Sequence, residues 1–482
     1  MTDRIQRILL YVIAALFCVA LVSYCVTLPF GAVTWYDNVV INEMARGGIT
    51  HKALDWSVVV TGHAELDSQS WATYYIGGLL TEFAYQCCGW LGPKILLLIV
   101  YLLTSGFVYF YSKRTSGSTF FAALLALCFF VFPRVASGVK SGRVDMLALG
   151  FVFAALALMA WARDTRFRCT TLFLVGVLGA CSVFTWMTAI IAFPALMWEV
   201  VRTVESTKPC GRMRFTRYGL AAMGFILAVI VLAAPFLLDL QTTVEGLKAN
   251  LAYNLQNSNG SKMLQVGVYI KTLVALPGFF ALGAIAIFSR KRFWILALGF
   301  IVFSAFTMFT KAGTARMIYF LPSMVIALAI LAEDLKNTRR GCLLACALGC
   351  VLVLSFVRTV GLRTVEDFRY KNKRDVVALQ REFESIIGRG ASVYTDTFQP
   401  YYIGRALNWR QYRVGSVKGL DPMPYLARCD WYVRGWCELD GVTEDQLKEA
   451  GYRFERTIAL GEVVETTSSL KYGPYRLYRK VN

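Results

Sequence analysis

A few ionisable side chains stand where long apolar runs of this chain begin or end, and their types suit acid–base and phosphate chemistry. Asp37 follows the first apolar run by about a turn, in Thr34-Trp35-Tyr36-Asp37-Asn38, and Asp145 opens a later run in Lys140-Ser141-Gly142-Arg143-Val144-Asp145. Lys311 and Arg316 precede Tyr319 at the head of another run, and Lys271 lies inside one, near its end. Charges inside apolar runs are costly and commonly mark a pathway or site. A carboxylate can accept the proton of an attacking hydroxyl. Cations can hold a phosphate and stabilise the charge that grows on it as it leaves. Each residue also has a plainer reading: Lys271 snorkels to an interface, Asp145 neutralises Arg143, and Asp37 is a turn aspartate. His63 and Glu65 offer one nitrogen and one oxygen for a divalent metal, which is short of a ligand set, so a solvated loop histidine is the simpler account of His63.

The elements that must position these groups are spans of a bilayer. Hydrophobic residues make up 57% of the chain and charged residues only 17%, whereas soluble domains are about a quarter charged. A span needs roughly 20 mostly apolar residues. The stretches that qualify are 8–30, 93–112, 118–134, 143–162, 169–186, 188–202, 217–239, 265–288, 292–310, 314–333 and 341–358. The 169–202 region must hold two short spans hinged near Thr185–Thr188, and a single span there would reverse the side of every later loop. The net charge of +19 is not read as nucleic-acid binding, because basic residues of membrane proteins gather in cytoplasmic loops facing anionic lipid. With the N-terminus inside, about eighteen basic residues fall on the cytoplasmic side and about ten in the opposite short loops, as the positive-inside rule requires. The run 8–30 is too long for a signal-peptide core and is read as an uncleaved first span. Most of the thirteen cysteines lie in apolar runs as packing residues, and Cys429 and Cys437 are the one pair in the polar tail that could bridge.

Two regions do not read as spans. Residues 31–92 form a first outer loop holding both histidines, and its part from Trp71 to Cys88 suits a helix lying in the interface. Residues 360–482 alternate helix-like segments (Lys373–Ile387, Thr443–Ala450) with strand-like ones (Ala391–Thr395, Trp431–Arg434, Phe454–Leu460), the pattern of a small α/β domain. The expected architecture is an α-helical polytopic membrane domain over 1–359, with about eleven transmembrane helices, followed by a soluble α/β domain over 360–482 on the outer face.

Carboxylates and phosphate-binding cations at span ends meet the needs of glycosyl transfer from a lipid-phosphate sugar, whose leaving group stays in the bilayer. The chain resembles the GT-C glycosyltransferases of the protein mannosyltransferase and lipid A aminoarabinose transferase type. Trp35-Tyr36-Asp37-Asn38, followed by Asn42-Glu43-Met44-Ala45-Arg46-Gly47-Gly48, is similar to the family's acidic motif after span one. Arg143-Val144-Asp145-Met146-Leu147-Ala148 is similar to its Arg-x-Asp-Met-Leu at span four. Lys311-Ala-Gly-Thr-Ala-Arg316-Met-Ile-Tyr319-Phe-Leu-Pro322 is similar to its late Lys/Arg-x-x-Tyr-x-x-Pro segment. Two departures stand out: Asn38 replaces the second acid of the family's pair, and Asp67-Ser-Gln-Ser-Trp71 replaces a Pro-Pro-Leu segment.

The resemblance implies Asp37 as general base and Asp145 as a second carboxylate that orients the acceptor or balances the cations. It implies Arg143, Lys311, Arg316 and Tyr319 as contacts of the donor phosphate, to which Lys271 is added by position alone. It further implies inversion at the sugar carbon, a polyprenyl-phosphate sugar donor, and a lipid A, surface-glycan or protein acceptor. The setting it implies is a bacterial inner (plasma) membrane with the C-terminal domain periplasmic. Some relatives bind a divalent metal near this site, and His63 and Glu65 are the residues available for one.

Two other classes stand beside this reading. A lipid or glycan transporter (a flippase) would spread charges through the midplane and show matching halves, whereas here the charges cluster at span ends and the halves do not match. A non-catalytic assembly subunit would depend on its tail and be indifferent to Asp37.

Overall fold

The computed structural model describes residues 3–30, 75–163, 168–206, 210–237, 278–288, 293–309, 316–395, 403–404, 406–412, 423–435, 442–460 and 474–481, with the single positions 240 and 244. Asp37, His63, Glu65, Lys271 and Lys311 lie outside the described residues.

The chain is a multi-pass membrane protein. Backbone amides in hydrocarbon have no water to bond, so each apolar run closes its hydrogen bonds within a helix. In chain order the helices are α1 (Asp3–Thr27), α2 (Tyr75–Cys88), α3 (Gly92–Ser116), α4 (Thr119–Phe130), α5 (Pro133–Ser141), α6 (Asp145–Ala162), α7 (Arg168–Thr185), α8 (Phe193–Glu205), α9 (Gly211–Leu237), α10 (Gly278–Phe288), α11 (Trp294–Phe309), α12 (Leu321–Leu335) and α13 (Arg339–Phe356). Among the described residues, eight helices are long and apolar enough to cross a bilayer. The pair α4–α5, bent by 51°, makes a ninth, and α10 and α11 supply two shorter apolar helices. The expected hinge at Thr185–Thr188 is present: Trp186 is extended (φ −158°, ψ 111°) and a 3₁₀ turn, Met187–Ala192, separates α7 from α8.

Between α13 and the C-terminal domain the helix does not stop. It passes through a π turn, Val357–Leu362, into α14 (Arg363–Arg369). The change of composition at 359–360 therefore falls inside a continuous helix, because composition reports the solvent around a helix and not its end.

At one end of the bundle Glu199 of α8, fully buried, accepts hydrogen bonds from Tyr111 of α3 and Arg163 at the end of α6. Arg202, 3.5 Å from Glu199, also reaches Glu333 of α12 at 3.7 Å. At the other end, which carries the C-terminal domain, Asp367 accepts from Lys140 of α5 at 2.8 Å and from Arg374 at 2.7 Å. Arg374 also donates to the Phe30 carbonyl at 3.2 Å, and Lys94 of α3 donates to Leu28 at 3.2 Å. These bonds fix the turn Leu28–Phe30 that follows α1 and ends seven residues before Asp37.

The C-terminal domain begins with α15 (Val376–Ile387), capped by the Asp375 side chain. Its sheet is built from β1 (Ser392–Thr395), β2 (Arg410–Tyr412), β3 (Trp431–Arg434), β4 (Tyr452–Ile458) and β5 (Tyr475–Lys480), in the order β2-β1-β3-β5-β4. The β2, β1 and β3 strands run parallel, while β5 is antiparallel to β3 and to β4. The edge strand β4 has a register shift between Phe454 and Arg456, and its residues from Arg453 to Thr457 are exposed. Helix α15 packs Leu379 and Phe383 on one face of the sheet, joined by Tyr85 of α2 and Trp90 from the membrane domain. Trp90 also donates to Gln380 at 3.4 Å. Cys429 is a buried free thiol, and Cys437, its possible partner in the sequence, lies outside the described residues. Cys429 lies among Tyr394, Leu426 and Tyr432 and packs there as a small apolar side chain.

Candidate active site

The Arg143-Val144-Asp145 motif occupies the turn between α5 and α6. Helix α5 ends at Gly142 in a left-handed conformation (φ 79°), which glycine adopts without a steric penalty. The amide of Arg143 returns to the Gly138 carbonyl at 3.0 Å and closes the turn. Asp145 then stands in the first turn of α6, where the positive end of the helix dipole favours a carboxylate. Val144 between them is fully buried. A Cβ placed on Gly77 of α2 would lie 3.2 Å from the Val144 side chain and 3.3 Å from the Thr185 carbonyl. The start of α2 therefore lies directly on this turn.

Both carboxylate oxygens of Asp145 are engaged. Arg143 Nε donates to Oδ2 at 2.7 Å, and the Tyr319 hydroxyl donates to Oδ1 at 3.0 Å. Tyr319 lies in a buried 3₁₀ turn, Met317–Phe320, that leads into α12. Asp145 is 4% exposed and Tyr319 fully buried, whereas the Arg143 side chain keeps 31% of its surface open. The carboxylate is thus held by a charge-assisted pair that still reaches solvent on its arginine side.

Trp186, buried at the break after α7, joins the group. The guanidinium of Arg143 and that of Arg316 each lie over its ring, 5.9 Å from the centroid. One indole thereby supports both cations, an interaction available to arginine through its flat, delocalised charge. Four separate segments converge here: the start of α2, the α5–α6 turn, the α7 break and the turn before α12.

The sequence singled out Arg143, Asp145, Arg316 and Tyr319, and the structure brings these four together. Asp37, Lys271, Lys311, His63 and Glu65 lie outside the described residues. Trp186 was not singled out. Its signal was a tryptophan inside the hinge Phe184-Thr185-Trp186-Met187-Thr188, between two apolar runs. Among the described residues no group of three or more His, Cys, Asp or Glu side chains is arranged to hold a metal ion.

Many membrane spans followed by a small α/β domain are an architecture this chain shares with solved structures at low sequence identity. Among solved structures, ArnT from Cupriavidus metallidurans in the apo state is similar over 97% of each chain, with a TM-score of 0.63 at 15% identity. The same protein bound to undecaprenyl phosphate is similar over 97% of this chain and 98% of that one, with a TM-score of 0.60 at 13% identity. The arabinofuranosyltransferase AftD from Mycobacteria matches 97% of this chain and 40% of its own, with a TM-score of 0.54 at 12% identity. No family model and no curated protein matches the chain.

Proposed function

We propose that this chain is an integral-membrane glycosyltransferase that moves a sugar from a polyprenyl-phosphate donor to a lipid A, surface-glycan or protein acceptor. The observation that carries the proposal is the Arg143–Asp145–Tyr319 group with Arg316 beside it: a buried carboxylate among cations at the span ends, in a fold shared with ArnT. In this reading an acceptor hydroxyl attacks the anomeric carbon, and the bond from that carbon to the phosphate oxygen breaks. The hydroxyl proton passes to Asp37 and the lipid phosphate departs, with inversion at the sugar carbon from the single displacement. Arg143 and Arg316 face the phosphate, joined by Tyr319, Lys311 and Lys271, and stabilise its growing charge. Asp145 does not take the proton. With both oxygens occupied it aims Arg143 and Tyr319 and balances the charge of Arg143. The reading sets the enzyme in a bacterial inner membrane with residues 360–482 in the periplasm.

The test is mass spectrometry of lipid A and surface glycans from cells carrying Asp37→Asn or Asp145→Asn, with protein levels matched. The proposal expects a defined sugar mass to vanish in Asp37→Asn. Wild-type modification in that variant would remove the base and, with it, this mechanism.

A further inference from the structure

A second group of cations lies at the same end of the bundle. Arg134 is exposed in the first turn of α5, and Arg358 and Arg363 are exposed on the π turn and on α14. Thr359 draws these segments together by donating to the Val131 carbonyl, at the α4–α5 bend, at 2.9 Å. Arg134 consequently sits in the field of Arg358, Arg363 and Arg143. Among the described residues, Arg363 pairs with Glu366 at 3.1 Å, and Glu366 is shared with Arg374 at 3.1 Å. No hydrogen bond or ion pair to a carboxylate is found for Arg134 or Arg358 among the described residues. Like charges brought together with too few counter-charges repel, and an anion is what relieves them.

The depth of these residues says where that anion comes from. The helix from Arg339 runs unbroken to Arg369, and no charged residue stands between Arg340 and Arg358. About 20 helical residues cross the roughly 30 Å hydrocarbon layer. With Arg339 and Arg340 at one boundary, Arg358 and Arg363 reach the headgroup level of the other. Beside them Val357, Leu362 and Val365 are more than half exposed, as apolar side chains facing acyl chains would be. Basic residues are the scarcer kind on the face away from the cytoplasm, so a cluster there calls for a specific anion.

We propose that Arg134, Arg358 and Arg363 form a binding site for the phosphate of a membrane lipid headgroup, beside the Asp145 site and distinct from it. The guanidiniums supply paired donors for phosphate oxygens, and the apolar side chains of 357–365 take the start of the acyl chains. This site goes beyond the transfer reading and does not depend on it.

The test uses the full-length protein in detergent micelles and counts bound lipid by native mass spectrometry. Wild type is titrated with phosphatidylglycerol, with phosphatidylcholine and with inorganic phosphate. The triple variant R134Q/R358Q/R363Q is compared with R339Q/R340Q at the opposite boundary, and R134K/R358K/R363K keeps the charge. The site predicts preferential retention of phosphatidylglycerol by wild type, weakened on the order of fivefold for each arginine removed. It predicts that R339Q/R340Q retains the lipid and that the lysine variant recovers part of it. Equal retention by the triple variant, or competition by inorganic phosphate as effective as by the lipid, would overturn it. Because the readout is bound lipid and not sugar transfer, failure here leaves the transferase reading standing, and the reverse is also true.

Discussion

The hydroxyl of Tyr319 is donated to Asp145 at 3.0 Å, a bond between residues 174 positions apart. It joins the turn before α12 to the first turn of α6. Replacing Asp145 with Asn removes the charge that aims Arg143, and misplaced groups of this kind cost about 100-fold in rate. Transfer by Asp145→Asn is expected to fall by about that factor with normal expression. Tyr319→Phe should lose less activity and about 1 kcal/mol of stability, the worth of one net hydrogen bond. Activity assays and thermal unfolding of both variants read these outcomes, and full activity in Asp145→Asn would contradict the positioning role.

Trp186 supports two cations at once, and its removal should act on donor binding more than on turnover. Each cation–π contact is worth about 0.5–1 kcal/mol at a partly open site. Trp186→Leu is expected to raise the KM for the lipid donor several-fold with a smaller change in kcat, and Trp186→Phe to recover part of it. An unchanged KM in Trp186→Leu would show that the indole serves packing alone.

Asp367 is a carboxylate shared by Lys140 and Arg374 at the junction of the two domains. Asp367→Asn leaves Lys140 buried without its anion and Arg374 with Glu366 alone, a loss of about 3–5 kcal/mol when a buried pair is broken. Thermal unfolding in micelles should show a clear drop, partly recovered by the double variant Asp367→Leu/Lys140→Met. A melting curve like that of wild type would rule out the junction as a clamp.

Burial pushes the Cys429 thiol up to about 12, above the value of an unfolded chain, about 8.5. The folded state therefore holds its proton where the unfolded state has released it. Stability from this group is complete below about pH 8.5 and declines as pH rises from there towards 12. Maleimide should not label Cys429 in the folded protein at pH 8, and labelling should appear together with unfolding. Rapid labelling of native protein at that position would contradict the buried environment.

The spans were legible because membrane crossing is written in composition over long windows. The hinge at 185–188 was legible because two apolar runs were too long for one span and too short for two full ones. Arg143 and Asp145 could be read because their motif sits intact at the head of a run, and Arg316 and Tyr319 likewise. Trp186 was missed because its value lies in two cations delivered from distant segments, which no local window contains. Asp367 was missed for the same reason, its partners lying on α5 and beyond α14. In the soluble domain β2 is three residues long, too short for any period to show. The β5 sequence Tyr475-Arg-Leu-Tyr-Arg-Lys480 hides its buried positions among basic residues.

The exposed edge strand β4 bears on how copies of this protein share a membrane. Anchoring confines every copy of the domain to one thin layer, where collisions between like sheets are far more frequent than in bulk solution. An open strand edge is a template for pairing with another chain. Here Arg453, Glu455 and Arg456 line the edge, and the shift between Phe454 and Arg456 interrupts its hydrogen-bonding ladder. A neighbouring copy meets charge and a broken register in place of a continuous strand. The charged, interrupted edge thereby disfavours strand pairing between the soluble domains of crowded copies.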